Sequence, residues 1–341
     1  MNELENIDTT DMKAMVASFP LMLRSGSPSD DFLSKAERIQ KRGIDGICLI
    51  GMGGSAIAGE IVKDLLADRA EKPILTSRDY ILPKTVKSGW VVVAVSYSGN
   101  TEETIAGYKE SESRRCSTFV LATGGVLMEV SNETPAHIMP AGFQPRAALP
   151  VIFGGVLPLV ETLLNLELTD LGEVSRKLEL ASTKWNSSDL RPGRLAGLLK
   201  DKIPVFIGWR HLIPVAYRAK CQFNENAKVF ASSVQIPEMY HNEIEGTLSC
   251  RDHPISPVFL RSREEDEKTS IGIESAAAIF EENGCHPEQL DLRFDSRIEE
   301  ALGFTFYLDS VSVKLAEVLG VDPITVGRIA QLKKKLRIRE E

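Results

Sequence analysis

The chain has 341 residues, 43% hydrophobic and 26% charged, which fits a soluble globular protein of about two domains. Lys and Arg total 40 against 48 Asp and Glu, and the net charge of −8 argues against nucleic acid or an anionic membrane as the main partner. It leaves an anionic small molecule open, because backbone dipoles can bind phosphate on an acidic protein. The five cysteines, Cys48, Cys116, Cys221, Cys250 and Cys285, form no CxxC pair and read as reduced thiols of a cytoplasmic protein. The opening MNELENIDTTDMKAM is acidic and has no apolar core, so no secretory leader is expected, and no apolar run is long enough for a membrane span.

Residues 11–42 read as helix with a break at Ser25–Ser29. The period then changes. Gly46–Ile50 is a short continuous apolar run ending at glycines, as expected of a strand buried on both faces. Helical spacing returns over Ala56–Leu66 and Thr101–Arg114, and further strands are expected at 73–76, 91–95, 118–122 and 136–139. Residues 151–200 read largely as helix. Alternation restarts with a strand at 204–208 and a helix at 213–223, so that Ile207-Gly208 echoes Ile50-Gly51. Strands are expected again at 256–260 and 291–294, then a helix at 301–319, a break at Asp322-Pro323 and a basic helix to Glu341. Strand–helix alternation predicts a doubly wound, mostly parallel α/β architecture.

Two loops carry the chemistry of anion binding. Gly51-Met52-Gly53-Gly54-Ser55 follows a strand and opens a helix, where backbone N–H groups and the helix dipole favour an anion. It is neither a dinucleotide fingerprint nor a Walker loop, since position 56 is Ala and no lysine follows the glycines. Taken alone it could be a tight turn without a ligand. The second loop, Ser96-Tyr97-Ser98-Gly99-Asn100-Thr101, brings three hydroxyls and a helix start together after the apolar strand. A capping hydroxyl explains one of Ser96, Ser98 and Thr101, not all three.

The second loop, with the following Glu102-Glu103-Thr104, resembles the phosphosugar loop of sugar isomerase (SIS) domains, and Gly51–Ser55 resembles their first loop. Three further segments narrow the match: Pro145-Arg146-Ala147-Ala148-Leu149-Pro150, Asn224-Glu225-Asn226-Ala227-Lys228 and Glu238–Gly246, which contains Tyr240-His241-Asn242-Glu243. In this order they resemble the bifunctional phosphoglucose/phosphomannose isomerases of archaea and some bacteria. The resemblance implies two SIS-type doubly wound subdomains, placed here at 1–175 and 176–341, and a homodimer. It implies metal-independent interconversion of glucose 6-phosphate and mannose 6-phosphate with fructose 6-phosphate. The five histidines form no HxH or HExxH pair.

By this resemblance Gly54, Ser55, Ser96, Ser98 and Thr101 hold the phosphate. Glu225 moves a proton between C2 and C1. The alternative for Glu225 is a surface ion pair with Lys228. His241, supplied by the partner subunit, opens the ring, and Lys333 in Gln331-Leu332-Lys333 assists. A solvated basic helix end competes with the role of Lys333, because Lys334 and Lys335 adjoin it. Arg146 faces the enediolate charge, or serves as a positioning residue. Competing readings are an SIS isomerase of another phosphosugar, a non-catalytic phosphosugar sensor and a nicotinamide dehydrogenase. The glycine pattern disfavours the last.

Overall fold

Residues 3–186 and 188–337 are described by the structure, a computed structural model. Helices α1 (Met12–Ala17), α2 (Phe19–Ser25) and α3 (Asp30–Gln40) come first, and Ser29 caps α3 by accepting from the Phe32 N–H. The first sheet is built from β1 (Gly46–Ile50), α4 (Gly53–Leu65), β2 (Ile74–Ser77), β3 (Trp90–Ser96), α5 (Glu102–Ser113), β4 (Ser117–Ala122), α6 (Gly125–Val130) and β5 (Ala136–Ile138). Its strands are parallel in the order β2-β1-β3-β4-β5. Every residue of β1 and β3 is buried, as continuous apolar runs between two helical layers require.

Helices α7 (Leu149–Leu163), α8 (Leu171–Asn186) and α9 (Pro192–Leu198) lead to the second unit. Position 175 falls inside α8. The second unit contains β6 (Ile203–Trp209), α10 (Ile213–Gln222), β7 (Ser232–Ile236), β8 (Ile255–Leu260), α11 (Glu267–Glu282) and β9 (Glu288–Leu290). Its sheet is also parallel, in the order β7-β6-β8-β9. Each sheet therefore places its first strand between its second and third, and the Ile50/Ile207 echo belongs to equivalent first strands. Helices α12 (Arg297–Leu319) and α13 (Gly327–Arg337) follow, and residues 338–341 of the expected final helix lie outside the described part.

Two expectations are corrected, and one strand is new. Helix α4 starts at Gly53, not Ala56, so two glycines lie in its first turn. The last strand is Glu288–Leu290, and residues 291–294 are irregular. Leu292 and Phe294 are nonetheless buried in the main core, so their alternation reflects burial rather than a sheet ladder. Strand β7 was not expected. It is a half-polar outer strand, Ser-Ser-Val-Gln-Ile, with a neighbour on one side only.

One hydrophobic cluster runs through both units. Helix α12 is its axis. Phe306 of α12 stacks on Phe19 of α2 at 5.2 Å between ring centres, and Trp185 of α8 meets Phe306 and Tyr307 edge-on. The shared core fixes the two sheets against one another, and this sets the site between them.

Candidate active site

The order β2-β1-β3 makes β1/β3 the point where the chain reverses direction across the first sheet, the place where ligands sit in open α/β folds. Both anion-type loops leave there. At β1, Met52 precedes α4 without a side-chain cap; the Ser55 and Ala56 N–H groups bond to the Met52 carbonyl, and among the described residues the Gly53 and Gly54 N–H groups at the start of this thirteen-residue helix have no partner. Ser55 is buried in that turn. At β3, Ser96 is buried and its Oγ donates to Thr101 Oγ1 at 3.0 Å. Thr101 precedes α5, again without a side-chain cap. Ser98 is exposed at the loop tip, and its Oγ accepts from the Asn100 N–H at 3.3 Å. Gly99 has φ +69°, and a Cβ there would lie 1.7 Å from the Gly124 carbonyl oxygen. Only glycine fits this turn.

The first loop leads to the next part of the site. A Cβ on Gly54 would come within 3.1 Å of the Pro145 carbonyl oxygen, so the Pro145-Arg146 backbone lies directly against the loop. Arg146 is 7% exposed and reaches into the second unit. Its Nε donates to Asn226 Oδ1 at 2.8 Å. Its Nη2 donates to the main-chain carbonyls of Pro323 and Ile324, the latter at 2.9 Å. Among the described residues Nη1 has no partner, so one edge of the guanidinium remains available. Burial lowers the Arg146 pKa from its ordinary value, and the charges of Glu225 and Asp322 oppose that shift.

Glu225 sits at the centre of a single π-helical turn, Phe223–Ala227, that ends α10. Such turns are uncommon and concentrate at functional positions. The turn closes on Lys228, which takes a left-handed φ of +58° and whose Nζ donates to the Glu225 carbonyl at 2.5 Å. The expected alternative, a Glu225–Lys228 ion pair, is therefore not formed. Among the described residues the Glu225 carboxylate has no hydrogen bond or ion pair, and it is half-buried. Asn224 Oδ1 accepts from the Ala231 N–H at 2.9 Å, and Asn226 Nδ2 donates to Ser312 Oγ at 2.9 Å. The asparagines on either side thus fix the turn and leave the glutamate unengaged.

A buried layer that sequence reasoning missed stands behind these residues. Arg218 and Asp309, both 2% exposed, form a two-point ion pair at 2.5 and 3.2 Å. Arg218 Nη2 also donates to the Arg146 carbonyl at 2.8 Å. Asp309 and Ser312 were visible as polar residues in an otherwise apolar stretch of α12. A buried charge of this kind needs its partner.

His241 and Lys333 stand apart. His241 ends a short 3-10 turn, Glu238–His241, beyond the outer strand β7, and is exposed. Lys333 is exposed on α13. Among the described residues neither side chain makes a hydrogen bond or ion pair. No group of three His, Cys, Asp or Glu among the described residues could hold a metal ion, and no described helix is long and apolar enough to cross a membrane.

The second sheet has the matching reversal point at β6/β8, but a side chain fills it. Glu300 of α12 is 2% exposed and accepts from His211 Nε2 at 2.8 Å, Ser262 Oγ at 2.7 Å and the Arg263 N–H at 2.8 Å. The chain's own carboxylate takes the place that an anion could hold there.

Residues 190–336 match the family described as bacterial phospho-glucose isomerase C-terminal SIS domain. The chain is 33% identical over 299 residues to the bifunctional phosphoglucose/phosphomannose isomerase of Thermoplasma volcanium, covering 86% of this chain and 91% of that protein. The chain belongs to the bifunctional phosphoglucose/phosphomannose isomerase family. The chain is also 30% identical to the D-glucosamine-6-phosphate 4-epimerase of Sulfolobus acidocaldarius, over 85% of this chain and 88% of that protein. The fold of the family member described here is shared with tagatose-6-phosphate ketose/aldose isomerase from Escherichia coli, with TM-score 0.73 and 16% identity, over 92% of this chain and 95% of that one.

Proposed function

We propose that the protein interconverts glucose 6-phosphate and mannose 6-phosphate with fructose 6-phosphate in the cytoplasm, through a cis-enediol and without a metal. The observation that carries this reading is the position of Arg146. Its backbone lies against Gly54 of the first loop, and its guanidinium is bonded to Asn226, next to the unengaged Glu225. A phosphate held by Gly54, Ser55, Ser96, Ser98 and Thr101 then places the sugar carbons toward Glu225. The carboxylate removes the C2 proton of the aldose and returns it at C1. The free Nη1 edge of Arg146 faces the charge that develops on the enediolate oxygens. We assign ring opening to His241 of a partner subunit, with Lys333 assisting. The exposure of His241 beyond an outer strand favours a role completed by a second copy.

The test is an assay of the purified, EDTA-treated protein on glucose 6-phosphate and mannose 6-phosphate, reading fructose 6-phosphate. Turnover of both is expected, and turnover of neither would overturn the proposal. The Sulfolobus relative favours a second reading, epimerisation of an aminosugar phosphate. Glucosamine 6-phosphate belongs in the same assay. Its conversion to a 4-epimer, with hexose phosphates untouched, would favour that reading instead.

A further inference from the structure

A cleft of about 660 Å³ lies away from the phosphate loops, where α1, α8, the start of α9 and α12 meet. Its floor is apolar and buried: Val16, Trp185, Phe306 and Val313 are each 3–4% exposed. Trp185 and Phe306 meet edge-to-face there, 5.6 Å apart between ring centres, and give the floor its aromatic surface. The rim is cationic, formed by Lys13, Arg191, Arg194 and Lys314, and among the described residues no acidic one lines the cleft. Two of these cations are partly neutralised outside it, Arg194 by Glu288 at 3.4 Å and Lys314 by Glu317 at 2.7 Å. Lys13 and Arg191 have no ion pair among the described residues. On a chain of net charge −8, a cleft lined by four cations and, among the described residues, no anion is a local reversal of sign. The size and the mix of apolar floor with few polar groups match a small-molecule site.

We infer that this cleft is a second ligand site, separate from the isomerase centre, for a small organic anion with a flat apolar body. The body lies on the apolar floor against Trp185 and Phe306, and the anionic group remains at the rim with Lys13 and Arg191. A bare phosphate would gain nothing from the floor, and a neutral apolar molecule nothing from the rim. The cleft is also joined to the isomerase centre through one helix. Phe306, Ser310 and Val313, spaced four and three residues apart, line the cleft, while Asp309 and Ser312 on a neighbouring face of α12 hold Arg218 and Asn226.

The probe is 8-anilinonaphthalene-1-sulfonate, titrated by fluorescence into the intact protein with excess inorganic phosphate present to occupy the phosphate loops. One saturable site per chain is expected. Lys13→Glu combined with Arg191→Glu is expected to weaken binding about tenfold. N-phenyl-1-naphthylamine, which lacks the sulfonate, is expected to bind weakly to wild type and to be unaffected by the charge reversals. Ala17 is exposed at the edge of the cleft, so Ala17→Trp fills it without crowding the core. This variant is expected to lose the probe while keeping its thermal midpoint and isomerase rate. Three results would overturn the inference: no saturable site, equal binding of the neutral probe, or unchanged binding to Ala17→Trp. So would a wild-type dimer that Ala17→Trp splits in sedimentation, since the face would then be an interface between copies of the chain.

Discussion

Arg146 Nε donates to Asn226 Oδ1 at 2.8 Å, across 80 residues of sequence and between the two sheets. Asn226 passes the contact on to Ser312 of α12, and Arg146 also holds two carbonyls just beyond α12. One side chain therefore links the Gly51–Ser55 loop to the π-helical turn that carries Glu225.

Arg146→Lys tests that role. A lysine offers one compact donor group and cannot span Asn226 and two carbonyls at once. Leaving buried acceptors unpaired should cost about 1–3 kcal/mol of stability in urea unfolding. The loss of the fixed guanidinium edge, with the charge kept, should lower kcat by about 10²–10³. A lysine variant with wild-type rate would remove Arg146 from the mechanism.

Glu225→Gln keeps shape and loses only the base. Because the turn is fixed by Asn224, Asn226 and Lys228 rather than by the carboxylate, the fold should not change. Phosphosugar binding, measured by calorimetry, should persist while the rate falls about 10²–10⁴. Normal turnover would mean that another group moves the proton.

The proposed sharing of the site between subunits predicts complementation. Glu225→Gln and His241→Asn homodimers should both be nearly inactive. Unfolded together and refolded, they should recover about a quarter of wild-type activity, because half the dimers are mixed and each holds one intact site. No recovery would place His241 and Glu225 in the same subunit's site, and an active His241→Asn homodimer would place His241 outside the site.

Gly99→Ala probes the phosphate loop without removing any hydroxyl. The added Cβ meets the Gly124 carbonyl, and φ is +69°. The loop must shift, so KM for the hexose phosphate should rise about tenfold, with kcat less affected. A parallel measurement of inorganic phosphate as competitive inhibitor should show the same loss. An unchanged inhibition constant would show that this loop does not hold the phosphate.

Glu300 predicts a pH dependence of stability. Burial pushes its pKa up, but the bonds from His211, the Arg263 N–H and Ser262 outweigh burial and hold it below its ordinary value of 4.5. A carboxyl with a depressed folded pKa stabilises the protein above its unfolded pKa, and that stability is lost as pH falls through the folded value. Glu300→Gln should therefore be less stable than wild type at pH 7, and the gap should close below about pH 4.5. A gap independent of pH would show that the charge contributes nothing.

Much of this was legible in the sequence, for identifiable reasons. The strands β1, β3 and β4 are apolar on both faces, so composition alone marks them. The loop hydroxyls and glycines are residue types with specific chemistry. Strand β7 was hidden because Ser232-Ser233-Val234-Gln235-Ile236 is an outer strand that needs little apolar surface. The Arg146 contacts at residues 323 and 324 were hidden for a different reason: a carbonyl acceptor leaves no trace in residue identity. Asp309 and Ser312 were visible as polar residues in an apolar helix, but only the fold shows that they face Arg218 and Asn226.

The carbonyls that receive Arg146 also put the site on a timetable. During synthesis Gly54, Arg146 and Asn226 leave the ribosome in that order, and each can fold against those already out. The Pro323 and Ile324 carbonyls come about a hundred residues after Asn226. Until they emerge, the arginine at the centre of the site has donors without acceptors. A nascent chain can thus build both glycine- and hydroxyl-rich loops long before Arg146 has all of its acceptors.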